Sequence, residues 1–236
     1  MNPSRRGFLA QSFIFIAGIP SMTPLSHVVL LGDSIFDNSS YTGGKPDVIA
    51  QVREVLPAGW KATLLARDGA TTAGIESQLS RLPRDATHLV LSIGGNDALG
   101  QTQVLDFPVR STADALLALA KVAREFEASY RKVVTACLTY DLPLLVCTIY
   151  NGNFADANYQ TRAAIALSAL NDAIIRIAVE KHLTVLELRQ ICNRPEDFAN
   201  PIEPSSIGGA KIAKAIVRTI TVTPDIRYGA RIVGRD

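Results

Sequence analysis

Val28-Val29-Leu30-Leu31-Gly32-Asp33-Ser34 is the stretch whose reading decides the fold. Four apolar residues run without interruption into a Gly-Asp-Ser turn. A short continuous apolar run closed by a turn signal reads as a buried central strand of a parallel sheet. In open parallel sheets, ligands bind beyond the carboxyl ends of the strands, so Ser34 falls where chemistry is usually done. Gly32 permits a tight strand-to-loop turn that presents the hydroxyl and the following amides to a substrate.

Outward from this strand the pattern alternates. A helix is expected over residues 46–56, where Val48, Ile49, Val52, Val55 and Leu56 recur at helical spacing and Pro57 and Gly59 close the run. Residues 60–66 read as the second strand. The loop Arg67-Asp68-Gly69-Ala70-Thr71-Thr72 follows, with Thr72 a candidate cap for a helix through Leu82. The third strand, residues 88–93, runs into Gly94-Gly95-Asn96-Asp97. Long helices are expected over 112–139 and 159–181, with strands at 144–149 and 184–188. An irregular stretch over 193–206 and a last helix over 209–220 close the pattern. Strands alternating with helices imply an α/β domain: a parallel five-stranded sheet with helices on both faces. No repeat or linker interrupts it.

The chain has 236 residues, which suits one such domain, and 47% of them are apolar, enough for a large core. A net charge of +2 gives no electrostatic case for nucleic acid as a partner. Residues 223–236 carry Arg227, Arg231 and Arg235 and read as a solvated tail. Cys137, Cys147 and Cys192 match no zinc or redox spacing, and Cys147 sits in an apolar strand, as a buried structural thiol does. No stretch reaches the length of a stable membrane span. Residues 1–25 contain Ser4-Arg5-Arg6-Gly7-Phe8-Leu9 and then an apolar stretch from Phe13 to Ile19. A basic start before a short apolar region has the form of a twin-arginine-type export signal. The expectation is a periplasmic or secreted protein. The alternatives are a frayed extension and a cytoplasmic location.

Three loops at strand ends carry suggestive residues: Ser34, Gly69, and Asn96 with Asp97. A serine hydroxyl is an available nucleophile. A glycine amide and an asparagine side-chain amide are available donors to a developing oxyanion. Each alone is weak, but their order and position after successive strands form a set.

In these residues the chain resembles the SGNH hydrolases, also called GDSL esterases/lipases. Gly32-Asp33-Ser34 is similar to the family's nucleophile motif, Gly69 to its isolated oxyanion glycine, and Gly94-Gly95-Asn96-Asp97 to its Gly-x-Asn-Asp motif. The resemblance implies a flavodoxin-like three-layer α/β/α sandwich over residues 26–222. It further implies a catalytic set with Ser34 as nucleophile and an oxyanion hole from the Ser34 amide, the Gly69 amide and the Asn96 side chain. It departs at the other end. Where the family has Asp-x-x-His, this chain has Asn200-Pro201-Ile202-Glu203.

The three histidines do not replace the missing one. His27, His88 and His182 lie at strand beginnings, and a strand rises about 3.3 Å per residue, so that edge is roughly 15–20 Å from Ser34. A base must lie within about 3 Å of the proton it takes. They read as ordinary surface or loop-edge histidines. Glu203 is left as the base. Its handicap against histidine is about 3 kcal/mol in basicity, and burial in a cleft offsets part of this by raising its pKa. A neutral Asn200 holds such a glutamate by a hydrogen bond where an aspartate would repel it. Asp33 reads as shaping the turn and Asp97 as bracing the Asn96 loop. Tyr150 and Asn151 follow the fourth strand and, with Asp33 and Asn200, are candidates to line the substrate pocket. Phe36, Tyr41 and Phe154 are candidates for acyl contacts or for plain packing.

The expectation is an ester hydrolase acting on a small-molecule carboxylic ester or O-acetyl group through an acyl-enzyme on Ser34. It needs no metal or organic cofactor, and its oligomeric state is open. The rival is a protein of the same fold that binds an acyl or carbohydrate ligand without turnover. An acyltransferase would use the same site. The position of the Glu203 carboxylate separates the first two readings.

Overall fold

A computed structural model describes residues 26–221 and 231–234. The twin-arginine-like stretch, on which the export reading rests, and Arg227 and Arg235 lie outside the described residues. The sheet strands are β1 (His27–Gly32), β2 (Lys61–Leu64), β3 (His88–Ser92), β4 (Leu144–Cys147), β5 (Thr184–Leu186) and β6 (Arg231–Val233). All neighbours pair in parallel in the order β2-β1-β3-β4-β5-β6. The helices are α1 (Val48–Val55), α2 (Ile75–Leu79), α3 (Gly95–Leu99), α4 (Thr112–Leu138), α5 (Ala157–Glu180), α6 (Leu188–Ile191) and α7 (Ser206–Thr221).

Alternate residues of β1 face opposite layers, as the two-residue period of a strand requires. Val28 and Leu30 enter a core with α1 and α7, while Val29 and Leu31 enter a second core with α2, α4 and α5. Each side chain is fully buried and contributes about 1.5–3 kcal/mol. These two cores make the three layers. Asp47 starts α1 by accepting from the Ala50 amide, Ser111 starts α4 by accepting from Asp114, and Asp156 starts α5 by accepting from Asn158 and Tyr159.

The structure corrects the sequence reading in four places. The sheet has a sixth strand, β6, inside the stretch read as a solvated tail. Val233 is buried there, and its carbonyl accepts from the Glu187 amide at 2.7 Å. Three residues beginning on an arginine are too few for a strand period to show. The helix expected to run from Thr72 to Leu82 is a 3-10 turn, Thr72–Gly74, followed by the short α2. Thr72 does not cap it: the Thr72 hydroxyl donates to Asp97 Oδ1 at 2.6 Å. α6 is an additional turn of helix after β5. His27 is no surface residue. It is buried, with Nδ1 2.9 Å from Asp85 Oδ1 and Nε2 2.8 Å from Thr63 Oγ1.

β1 lies between β2 and β3, so the loops carrying Ser34, Gly69 and Asn96 leave three adjacent strands at one sheet edge. The three histidines lie at the other edge, at or next to the strand starts.

Candidate active site

Ser34 is the second residue after β1 and is 6% exposed. The turn that presents it needs glycine at position 32. Gly32 has φ +137°, and a Cβ there would lie 1.8 Å from the Ser92 carbonyl oxygen. Gln78 of α2 clamps the same residue from the helical layer. Its Oε1 accepts from the Gly32 amide at 2.8 Å and its Nε2 donates to the Gly32 carbonyl at 2.7 Å. The Asp33 carboxylate accepts from the Ile35 amide at 3.1 Å, which closes the turn.

The Ser34 hydroxyl donates to Glu203 Oε1 at 3.1 Å. Glu203 is 5% exposed, and its Oε2 is buried with no hydrogen-bond partner among the described residues. Burial pushes the Glu203 carboxyl above its ordinary 4.5, and the negative charge of Asp68 adds to this; the hydrogen bond from Ser34 opposes it. Burial also raises Asp33 to about 7. The Ile35 amide opposes that shift, and the charges of Glu203 and Asp97 add to it.

The loop carrying Glu203 is held from several sides. Asn38, wholly buried, donates from Nδ2 to the Pro204 carbonyl at 3.0 Å and accepts from the Val48 amide at 2.9 Å. The Tyr150 hydroxyl donates to the Ile202 carbonyl at 2.6 Å, and the Asn153 amide to the Pro201 carbonyl at 2.8 Å. Asn200 Oδ1 accepts from the Ile202 and Glu203 amides, each at 2.9 Å. The hydrogen bond expected between Asn200 and Glu203 therefore runs to the glutamate's backbone and not to its carboxylate. It does not depend on Asn200 being neutral, because an aspartate oxygen accepts from an amide equally well.

The two remaining loops are stitched together. Asn96 Nδ2 donates to the Ala70 carbonyl at 2.9 Å. Asp97 accepts from both the amide and the hydroxyl of Thr72. Asp97 thus braces the loop, as expected. Gly69 has φ +76°, a left-handed conformation suited to glycine. Among the described residues, neither the Ser34 nor the Gly69 amide donates a hydrogen bond, and one Asn96 Nδ2 hydrogen is uncommitted.

A cavity of about 110 Å³ opens beside Ser34 and Glu203. Asp33, Asn96, Tyr150, Asn151 and Phe154 also line it, and its depth is apolar, between α3, α4 and α5. Gly69 and Asn200 are not on its wall, and Asn200 is exposed. Phe36 belongs to the core with α1, and the Tyr41 hydroxyl donates to Asp68 at 2.7 Å, so neither lines it. Asn151 Oδ1 is buried there without a partner among the described residues. Sequence reasoning missed Gln78, Asn38 and Asn171. Asn171 of α5 clamps Ile149 after β4 as Gln78 clamps Gly32, accepting from its amide at 2.7 Å and donating to its carbonyl at 2.8 Å.

The model of the GDSL-like lipase/acylhydrolase family matches residues 30–207, more than half of the chain. The chain belongs to this family. The motifs carried by Ser34, Gly69 and Asn96 lie inside the matched region, and so does Glu203. Among solved structures, an extracellular lipase from Streptomyces rimosus superposes with a TM-score of 0.61 at 17% identity, covering 84% of this chain and 100% of that one. A variant of an acetyl xylan esterase from Geobacillus stearothermophilus gives 0.60 at 18% identity, covering 85% and 97%. A phospholipase A1 from Streptomyces albidoflavus gives 0.60 at 15% identity, covering 84% and 100%. These likenesses establish the shared fold. No curated protein matches the chain. Within this GDSL-family protein, no described helix is long and apolar enough to cross a membrane. Among the described residues, no group of three or more His, Cys, Asp or Glu side chains is placed to hold a metal ion.

Proposed function

We propose that the protein is a serine ester hydrolase in which Glu203 takes the place of the usual histidine base. The observation that carries this reading is the hydrogen bond from Ser34 Oγ to Glu203 Oε1, 3.1 Å long and buried. That length is within reach for proton transfer. Ser34 Oγ attacks the acyl carbonyl while its proton passes to Glu203. The Ser34 amide, the Gly69 amide and the Asn96 side chain stabilise the tetrahedral oxyanion. Collapse expels the alcohol, which takes the proton from Glu203 and leaves an acyl group on Ser34. Water then attacks the acyl-enzyme with Glu203 as base, and the acid is released. Asn38, Tyr150 and Asn200 support this reading by holding the Glu203 loop against Ser34. The twin-arginine-like start supports an exported enzyme.

The test is hydrolysis of a short-chain aryl ester across pH by wild type, Ser34→Ala and Glu203→Gln. Wild-type kcat/KM should rise with pH through one ionisation above the ordinary carboxylate value, because a base works only when deprotonated and Glu203 is shifted upward. Ser34→Ala should lose at least about 1,000-fold. Glu203→Gln should lose roughly 100- to 10,000-fold and the acidic limb of the profile with it. A wild type no faster than Ser34→Ala on any ester would leave a binding protein as the reading.

A further inference from the structure

Asn151 is a polar residue on the cavity wall that neither the ester chemistry uses nor the fold satisfies. Its neighbours along the chain spend their side chains inside the fold. The Thr148 hydroxyl donates to Glu187 Oε1 at 2.7 Å and accepts from the Leu188 amide at 2.9 Å, and the Tyr150 hydroxyl is committed to the Ile202 carbonyl. Asn151 Oδ1 is buried on the same wall with no partner among the described residues. The other unpartnered acceptor there, Glu203 Oε2, belongs to the base. A buried carbonyl left unpaired is costly and calls for an explanation. The loop fixes its place. Gln160 Nε2 donates to the Asn151 backbone carbonyl at 3.2 Å, and Gln160 Oε1 accepts from the Phe154 amide at 2.7 Å, so one α5 side chain holds the loop on both sides of Gly152. Gly152 has φ +71°, and a Cβ there would lie 2.7 Å from the Pro201 carbonyl oxygen. The loop therefore packs directly on the segment that carries Glu203.

We propose that Asn151 sets the substrate specificity: its Oδ1 accepts a hydrogen bond from a neutral O–H or N–H that the substrate carries beside its ester group, and esters without such a donor are poor substrates. This rests on the ester-hydrolase reading and deepens it by naming the substrate class of the same site. The physical basis is an asymmetry. A site that hydrogen-bonds a donor rejects the isostere lacking it, because the acceptor then stays desolvated and unpaired. The donor is neutral because the cavity is apolar in its depth, where an ammonium would lose its hydration. An ammonium that paired with Glu203 would also lower the basicity that the mechanism needs. The cavity, at about 110 Å³, is smaller than the roughly 150 Å³ that encloses a benzene molecule, so it takes a group of about four carbons. The donor has two sources of one chemistry, the acyl half of the ester and the alcohol half, and matched substrates separate them.

The experiment compares isosteric pairs on the whole chain. An aryl β-hydroxybutyrate is set against the aryl isovalerate, which has a methyl in place of the hydroxyl and tests the acyl half. Hydroxyethyl butyrate is set against propyl butyrate and tests the alcohol half. In wild type the hydroxylated member of at least one pair should have the higher kcat/KM, by at least about tenfold. Asn151→Leu, which removes the acceptor at similar size, should lower that ratio at least about tenfold while hydrolysing the plain ester no more slowly than wild type. Comparing ratios between the two proteins cancels any difference in intrinsic reactivity. Asn151→Ala repeats the measurement with no added bulk in the cavity. An aryl acetoacetate, with an acceptor where the donor was, should do no better than the isovalerate. No preference in either pair, a preference that survives both variants, or an acetoacetate that matches the β-hydroxybutyrate would overturn the proposal. Calorimetric binding of the intact esters to Ser34→Ala needs no turnover and should show the same order, lost again with Asn151→Leu. If that order holds and no ester is hydrolysed, the hydrolase reading fails and the assignment of Asn151 stands. Turnover without preference sinks the assignment and leaves the hydrolase reading intact.

Discussion

Asp33 is a carboxyl in a buried turn, raised to about 7 from an ordinary 3.8. Its effect on stability has a definite sign. Between those two values the unfolded chain has released the proton and the folded chain still holds it. Stability is therefore fully present in acid and falls as pH rises through about 7, by about 4 kcal/mol in all. Asp33→Asn keeps an acceptor for the Ile35 amide and removes the ionisation. In urea unfolding it should match wild type near pH 3.5 and exceed it by a few kcal/mol near pH 8. Glu203 is raised too and leaves part of the slope in the variant. Equal slopes in both proteins would show that Asp33 ionises freely. At this scale Ser34, Asn96 and Glu203 were legible because each lies on a motif, or at a motif's expected place, next to a strand end or the last helix. Asn38 and Gln78 were not. A polar residue in a loop or helix reads as solvated, whereas Gln78 reaches a partner 46 residues away and Asn38 one 166 residues away.

α2 is only five residues long, and its main contribution to the site is Gln78. The carboxamide satisfies both polar groups of Gly32, which is sealed from water inside the sheet. Gln78→Ala would strand the buried Gly32 N–H, at a cost of about 1–3 kcal/mol, while the carbonyl keeps its second donor, the Arg67 amide at 3.0 Å. A loss of about 1–3 kcal/mol in urea unfolding is expected, with kcat falling because the turn before Ser34 loses its clamp. A loss under about 0.5 kcal/mol would mean that water replaces the side chain. The long elements were readable from periodicity: α4 and α5 fall within two residues of their expected ends, and β1 within one. The short strands β2, β3, β4 and β5 were readable from their apolar content, but α2, α6 and β6 were not: helices of five and four residues show no 3.6-residue period, and the three-residue β6 pairs along the side of β5.

The molecule keeps its three thiols inside. Cys137, Cys147 and Cys192 are buried and free, and burial pushes Cys137 and Cys192 up to about 12 and Cys147 higher. A protonated, enclosed thiol is inert. An aromatic disulfide reagent near pH 8 should therefore titrate none of them in the native protein and all three in guanidinium. Any fast native equivalent would show that a core opens locally. The three-layer architecture was legible as a whole because it follows from alternation and strand hydrophobicity alone. The apolar cavity was not, since its wall is assembled from α3, α4, α5 and the loops after β1 and β4, and no single stretch announces it.

The paired carboxamide clamps have a consequence in time as well as in space. Sheet ends are where backbone amides normally exchange fastest with solvent deuterium, since fraying opens them first. Here Gln78 holds Gly32 and Asn171 holds Ile149, both from the same helical layer and both on the edge that carries Ser34. Those two amides should exchange as slowly as the centre of β1, through global unfolding alone. The protein then has no quiet middle with a loose rim: the rim beside the nucleophile keeps the same clock as the core.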